Sequence, residues 1–164
     1  MVTMVSATSR YDKYVRRESG GELTTDELTG LTIFKAKCAT CHATDLFTDN
    51  TFRNNGLGID QKLNDQGRYR ITLNEADRLK FRVPSLRNIE RSAPYMHDGR
   101  FATLNQVLNH YSDGVNDTPT LDPVLRQNGR LGIALSDVEK KSLVAFLATL
   151  TNNNYLTNRS LSAP

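Results

Sequence analysis

The sequence predicts an all-α domain with long loops, and three observations carry that prediction. Apolar residues recur at helical spacing in several stretches. Three of these stretches are opened by Ser or Thr with Glu or Gln three positions on. Between them lie polar, glycine-broken segments with no strand-rich pattern around the chain's only two cysteines.

Taken in order, Tyr11 to Glu18 reads as the last turns of a helix stopped by Ser19-Gly20-Gly21. A second helix opens at Thr24, where Glu27 completes a capping box: the hydroxyl accepts a backbone N–H and the carboxylate reaches back to the cap. Leu28, Leu31 and Phe34 follow near helical spacing, and the helix runs into Cys38. Residues 43–80 are polar and broken by Gly56, Gly58 and Gly67, which predicts a long loop with short turns. Such a loop is uncommon in a compact domain unless it covers something. Phe81 to Asn88 should be extended ahead of Pro84. Thr103 and Gln106 box a helix with the stripe Leu104, Val107, Leu108 and Tyr111. Asp122-Pro123 starts a short helix with proline at its first position. Ser136 and Glu139 cap the last long helix, whose buried face is Leu143, Phe146, Leu147 and Leu150. Asn152-Asn153-Asn154 should end it and leave 151–164 as a loosely ordered tail.

Cys38-Ala39-Thr40-Cys41-His42 reads C-x-x-C-H, the attachment pattern of a c-type haem. Two thiols one helical turn apart can each add to a porphyrin vinyl group, and the histidine after them can supply an axial nitrogen to the iron. Zinc would need four ligands, and there are only two cysteines. A thioredoxin-like dithiol wants a βαβ setting that is absent here. The pentapeptide therefore predicts one covalent haem c per chain, with His42 as proximal ligand and no structural disulfide. The 43–80 loop would cover a haem edge. Arg82 and Arg87 are candidates for its propionates, with solvated surface arginines as the plain alternative.

Met96, His97, His110 and Tyr111 compete for the other face of the iron. Tyr111 lies within ~20° of Leu104 on the apolar stripe, while His110 is turned roughly 100° away, towards solvent or another element. Periodicity favours Tyr111, against the plain reading of a core aromatic with a bonded hydroxyl. Met96, in the loop Ala93 to Gly99, would raise the potential as a thioether ligand, or simply fill a gap.

Length and charge bound the rest. With 164 residues the chain fits one domain, and a net charge of +3 without a dense basic run argues against a nucleic-acid partner. No apolar stretch is long enough to span a bilayer. Met1 to Arg10 lacks the apolar core of a signal peptide, although haem is joined to C-x-x-C-H outside the cytoplasm. Either Met1 is an artificial start, or the chain is a piece of a longer exported, periplasmic protein.

Three blocks together are specific: Cys38 to His42, Phe81-Arg82-Val83-Pro84-Ser85-Leu86-Arg87-Asn88, and Ala93-Pro94-Tyr95-Met96-His97-Asp98-Gly99 followed by Thr103-Leu104. Over roughly residues 11–150 they resemble the C-terminal half of bacterial dihaem cytochrome c peroxidases, a superfamily that includes the MauG enzymes. The resemblance implies a cytochrome c-like helical domain wrapped around an electron-relay haem. A second, N-terminal haem domain would meet hydrogen peroxide. It also implies a small cytochrome or cupredoxin as electron donor, and a calcium ion between the halves that takes the carbonyls of Ser92 and Pro94. The family's distal ligand, fourteen residues beyond the histidine of H-D-G, is methionine in the peroxidases and tyrosine in MauG-type enzymes. That position is Tyr111. His97 is then a group bonding a propionate or backbone, and Met96 is the weaker alternative ligand. With one C-x-x-C-H and no tryptophan, the chain alone should not run a two-haem cycle. Three functions follow: relay domain of a peroxidase-like enzyme, MauG-like oxidase domain with a His/Tyr-ligated haem, or self-standing monohaem electron carrier. A surface left open by a missing half would be expected to favour a homodimer.

Overall fold

The computed structural model describes residues 6–127 and 129–159. Helix α1 (Arg10–Arg16) is a complete short helix, not the end of a longer one. Ser9 caps it and Asp12 reciprocates, and Arg17 in the left-handed region stops it before Glu18. Helix α2 (Thr25–Lys37) opens on the Thr24/Glu27 box, as the sequence predicts. The two-residue strand β1 (Phe52–Arg53) and the single-turn helix α3 (Tyr69–Thr72) interrupt the long loop. Strand β2 (Phe81–Arg82) then returns antiparallel to β1, with Phe52 opposite Arg82. Helix α4 (Leu104–Asp113) starts at the Thr103/Gln106 box. A 3₁₀ turn over Pro123–Leu125 is capped by Asp122 and leads into the hairpin β3 (Arg126–Gln127) and β4 (Arg130–Leu131). Helix α5 (Asp137–Ala148) follows the Ser136/Glu139 box. The asparagine run does not end α5, which stops at Ala148. Asn152 instead accepts from the Tyr155 N–H at 3.1 Å and starts helix α6 (Asn153–Leu156). The rest of the expected tail, 160–164, lies outside the described residues.

Helices α2 and α5 form the main packing pair. Their crossing is close because α2 presents Gly30 to α5: a Cβ there would lie 2.0 Å from the Ser142 carbonyl oxygen and 2.8 Å from Phe146 Cβ. Leu31 and Phe34 are buried beside it, but Leu28 is surface-exposed, so the apolar stripe of α2 is shifted from the one its leucines suggest. Phe146 is fully buried among Tyr11, Phe34 and Phe47, with ring centroids 5.5, 5.1 and 6.3 Å away. Edge-to-face and tilted contacts at these distances add to the area each ring buries. Phe47 comes from the long loop, so that loop contributes to the core as well as covering it.

A second, smaller cluster holds Val115, Leu121 and Leu125, with Tyr111, Leu131 and Ile133 against it. Ile133 also packs on the main core, as do Cys38 and Ala39. The two clusters thus meet at Ile133, whose N–H bonds the Tyr111 carbonyl of α4 at 2.7 Å.

Candidate functional site

Helix α2 delivers the pentapeptide. Cys38 is its C-cap, with its N–H bonded to the Phe34 carbonyl at 2.8 Å. One further turn closes when Cys41 and His42 donate their N–H groups to the Cys38 carbonyl at 3.2 and 3.0 Å. Both cysteines are free, so both thiols remain available.

The loop after His42 folds back at once. Thr48 N–H reaches the Ala43 carbonyl at 2.8 Å and Asp49 N–H reaches the Cys41 carbonyl at 3.0 Å. This places the Phe47 carbonyl 3.0 Å from His42 Nδ1. A carbonyl can only accept, so Nδ1 carries the proton and Nε2 presents a lone pair. Burial keeps the imidazole neutral by lowering its pKa, although the Phe47 and Pro84 carbonyls oppose the shift. A neutral ring whose Nδ1 is held by a carbonyl is the state a metal-ligating histidine requires.

Burial pushes the Cys38 thiol up to about 12, and the nearby Cys41 adds to the effect. The Cys41 thiol is also raised by burial, but the Arg53 guanidinium opposes it. Arg53 acts on His42 in the useful direction too, since a nearby cation disfavours imidazolium. Arg53 is fixed between Asp49 and Asp122, both 2.8 Å away, and these bonds raise its pKa.

Tyr111 lies deep among protein atoms, yet its own surface is only partly covered. Cys38 and His42 are likewise only partly covered. Burial raises the phenol pKa, an Asn55 side-chain bond opposes it, and both cysteines are near enough to act on it. His110 turns towards another element rather than solvent: its Nε2 lies 3.0 Å from the Asn55 carbonyl. Met96 is half-buried and accepts a bond from Asn55 Nδ2 at 3.4 Å.

The remaining candidates have other partners. Arg87 is neither on the solvated surface nor free for a propionate. It forms a bidentate pair with Asp12 at 2.9 Å, with both side chains under 10% exposed, and also donates to the Asp45 and Ser6 carbonyls. Arg82 is exposed and donates to Asn50 at 2.6 Å. His97 stacks on Phe81 at 3.7 Å between ring centroids. Ser92 and Pro94 are exposed, the latter after a cis peptide bond. Among the described residues, no group of three or more His, Cys, Asp or Glu side chains could hold a metal ion.

Sequence reasoning misses Arg53, Asn54 and Asn55. Asn54 is 1% exposed and ties two loop segments together: its amide donates to Thr118 and Thr120 at 2.9 Å each and accepts from Gly56 N–H at 2.8 Å. The available signal was the Asn-Asn-Gly turn pattern, of which only the glycine was used.

The chain is 35% identical over 150 residues to the methylamine utilization protein MauG of Methylorubrum extorquens, covering 90% of the chain and 40% of that relative. It is 34% identical over 154 residues to the cytochrome c551 peroxidase of Nitrosomonas europaea, covering 92% and 41%. The chain belongs to the superfamily of MauG and the dihaem cytochrome c peroxidases. A solved MauG-like protein associated with microbial copper homeostasis superposes with a TM-score of 0.79 at 34% identity, over 97% of this chain and 56% of that one. No family model matches the chain. It spans about two-fifths of the length of these two curated relatives, and so corresponds to one haem domain of a two-haem architecture. No helix among the described residues is long and apolar enough to cross a membrane.

Proposed function

We propose that this chain is the C-terminal, electron-relay haem domain of a dihaem peroxidase-like enzyme, with one covalent haem c in the cleft between the two apolar clusters. The observation that carries the reading is the His42 imidazole, held at Nδ1 by the Phe47 carbonyl and set in the turn that carries two unpaired thiols. Cys38 and Cys41 would hold the group through thioethers, His42 would supply the proximal nitrogen, and Tyr111 the distal oxygen. Bound there, haem supplies reversible one-electron chemistry.

The chain's own residues set the terms. The main core fixes Cys38, the loop carbonyls keep His42 neutral, and the surrounding apolar side chains exclude water. Tyr111 as phenolate is a hard anionic donor that favours the ferric state and lowers the potential, where methionine would raise it. The cation itself must depress the phenol pKa, because burial alone acts the other way. This ligand favours the second reading, an oxidase domain of the MauG type, over a self-standing electron carrier. In either case an N-terminal haem domain would meet peroxide, a small cytochrome or cupredoxin would donate electrons, and the protein would be exported to the periplasm. The same reading assigns the Ser92 and Pro94 carbonyls to a calcium ion completed by the other domain. It leaves Arg82 and His97 near the haem edge as polar neighbours.

The test is protein matured with the c-type assembly apparatus. Mass spectrometry should find one haem adduct, lost when Cys38 and Cys41 are both replaced by Ala. Tyr111→Phe should change the ferric spin state. An adduct-free wild type sinks the haem reading, and an unchanged spin state removes Tyr111 from the iron.

A further inference from the structure

Three non-glycine residues in the loop after His42, namely Thr44, Phe47 and Asn50, have φ of 65, 55 and 58. This is the left-handed region, which a residue as bulky as phenylalanine keeps only where its surroundings over-determine it. Much of that restraint comes from the segment 83–87. Arg87 Nε donates to the Asp45 carbonyl at 2.8 Å, and Ser85 Oγ donates to the Leu46 carbonyl at 2.6 Å. Thr48 Oγ1 donates back to the Val83 carbonyl at 2.6 Å. Arg87 is itself fixed by its bidentate bond to buried Asp12. Ser85 Oγ also accepts the Arg87 N–H at 3.2 Å, so the two residues act together. Both peptide planes beside Phe47 are therefore held at each end. In the first, the Leu46 carbonyl takes the Ser85 hydroxyl and the Phe47 N–H bonds the Thr44 carbonyl at 3.1 Å. In the second, the Thr48 N–H bonds the Ala43 carbonyl at 2.8 Å and the Phe47 carbonyl takes His42 Nδ1 at 3.0 Å.

We propose that Ser85 and Arg87 are positioning residues for the proximal iron ligand: they brace the loop 45–48 so that the Phe47 carbonyl keeps its bond to His42 Nδ1, and so help to set the reduction potential. The inference rests on the reading of His42 as that ligand. A carbonyl on Nδ1–H makes the imidazole a stronger donor, which favours ferric iron, so a looser bond raises the potential.

Ser85→Ala removes the hydroxyl from an exposed side chain. In the haem-loaded full chain, the expected result is an upward shift of the midpoint potential. The His42 Nδ1 proton, followed by NMR, should also exchange with solvent faster by about tenfold. Ser85→Thr keeps the hydroxyl and should restore both readouts. Arg87→Lys keeps a cation for Asp12 but lacks the planar fork that serves Asp12 and Asp45 together, and should shift both readouts the same way. Should Arg87→Lys not fold, the two Ser85 variants decide. Thr24→Ala removes the cap at the far end of α2, and should lower stability while leaving both readouts at wild-type values. The proposal is overturned if either readout is unchanged in Ser85→Ala, or if Thr24→Ala shifts them equally. His42→Ala separates the two claims: if the spectrum of the loaded chain does not change, the ligand reading has failed. If the spectrum changes while Ser85→Ala keeps the wild-type potential, only the positioning role has failed.

Discussion

Gly30 packs in the main core and Asn54 lies beside the smaller cluster, and they hold these two regions, the proposed walls of the haem cleft, by different forces. Around Gly30 two helices touch, and nothing larger than hydrogen fits between Ser142 and Phe146. Around Asn54, loop segments 51–58 and 115–122 meet, and a single buried amide satisfies three partners. The first region is a close-packed interior that resists any change in volume. The second buries less apolar surface and is oriented by directional bonds, so it resists loss of a partner. Cys38 is anchored in the first region and Asn55 in the second. The cleft therefore has one wall set by packing and one set by hydrogen bonding, and the two should fail differently.

The largest expected effect breaks the packed wall. Gly30→Ala should destabilise the chain by about 3 kcal/mol, because either α2 or α5 must shift to admit a Cβ. Gly58→Ala is the control: its Cβ would meet only Asn116 Nδ2 at 3.4 Å, so the change should stay within about 0.5 kcal/mol. Denaturant unfolding of both variants reads the difference. Equal midpoints would show that the α2–α5 crossing is looser than its geometry implies.

A smaller effect is expected on the bonded wall. Asn54→Ala leaves the Thr118 and Thr120 hydroxyls and the Gly56 N–H without their partner, at a cost of about 1–3 kcal/mol. Unlike the Gly30 change, it should speed hydrogen exchange locally, at Gly56, Asn116 and Asp122, while amides of α2 and α5 keep their protection. Uniform loss of protection would mean that the two walls are one cooperative unit.

This division also explains what the sequence could say. The capping boxes at Thr24, Thr103 and Ser136 and the face of Leu143, Phe146, Leu147 and Leu150 were legible, because caps and periodicity act within one turn or one helix. The burial of Gly30 and exposure of Leu28 were not, because they depend on which neighbour crosses the helix. The Arg87–Asp12 pair was not legible for the same reason: the two lie far apart in sequence, and only the fold brings them together. On the site, C-x-x-C-H announces itself by spacing. The Phe47 carbonyl on His42 and the Asn55 amide on Met96 are products of loop geometry, which leaves no periodic trace.

The smallest expected effect sharpens the comparison through pH. Lys37 at the end of α2 lies 2.5 Å from Glu139 in the first turn of α5, and also donates to the Ala134 carbonyl at 2.7 Å. The Lys37 bond, helped by the Ser136 N–H, lowers the Glu139 carboxyl from 4.5 to about 2. A depressed carboxyl stabilises the folded chain fully above its unfolded pKa, and that stability is lost as pH falls from 4.5 towards about 2. Both side chains are nearly a third exposed, so solvent screening limits the contribution to about 1 kcal/mol. Glu139→Gln should therefore lower stability by that amount at neutral pH and flatten the acid limb of the stability curve. Asn54→Ala should lower the curve and leave its acid slope unchanged, because no carboxylate takes part in the Asn54 bonds. If Glu139→Gln retained the acid slope, the slope would have to come from other depressed carboxyls, among them Asp12 on Arg87, Asp49 on Arg53 and Asp98 on Arg100.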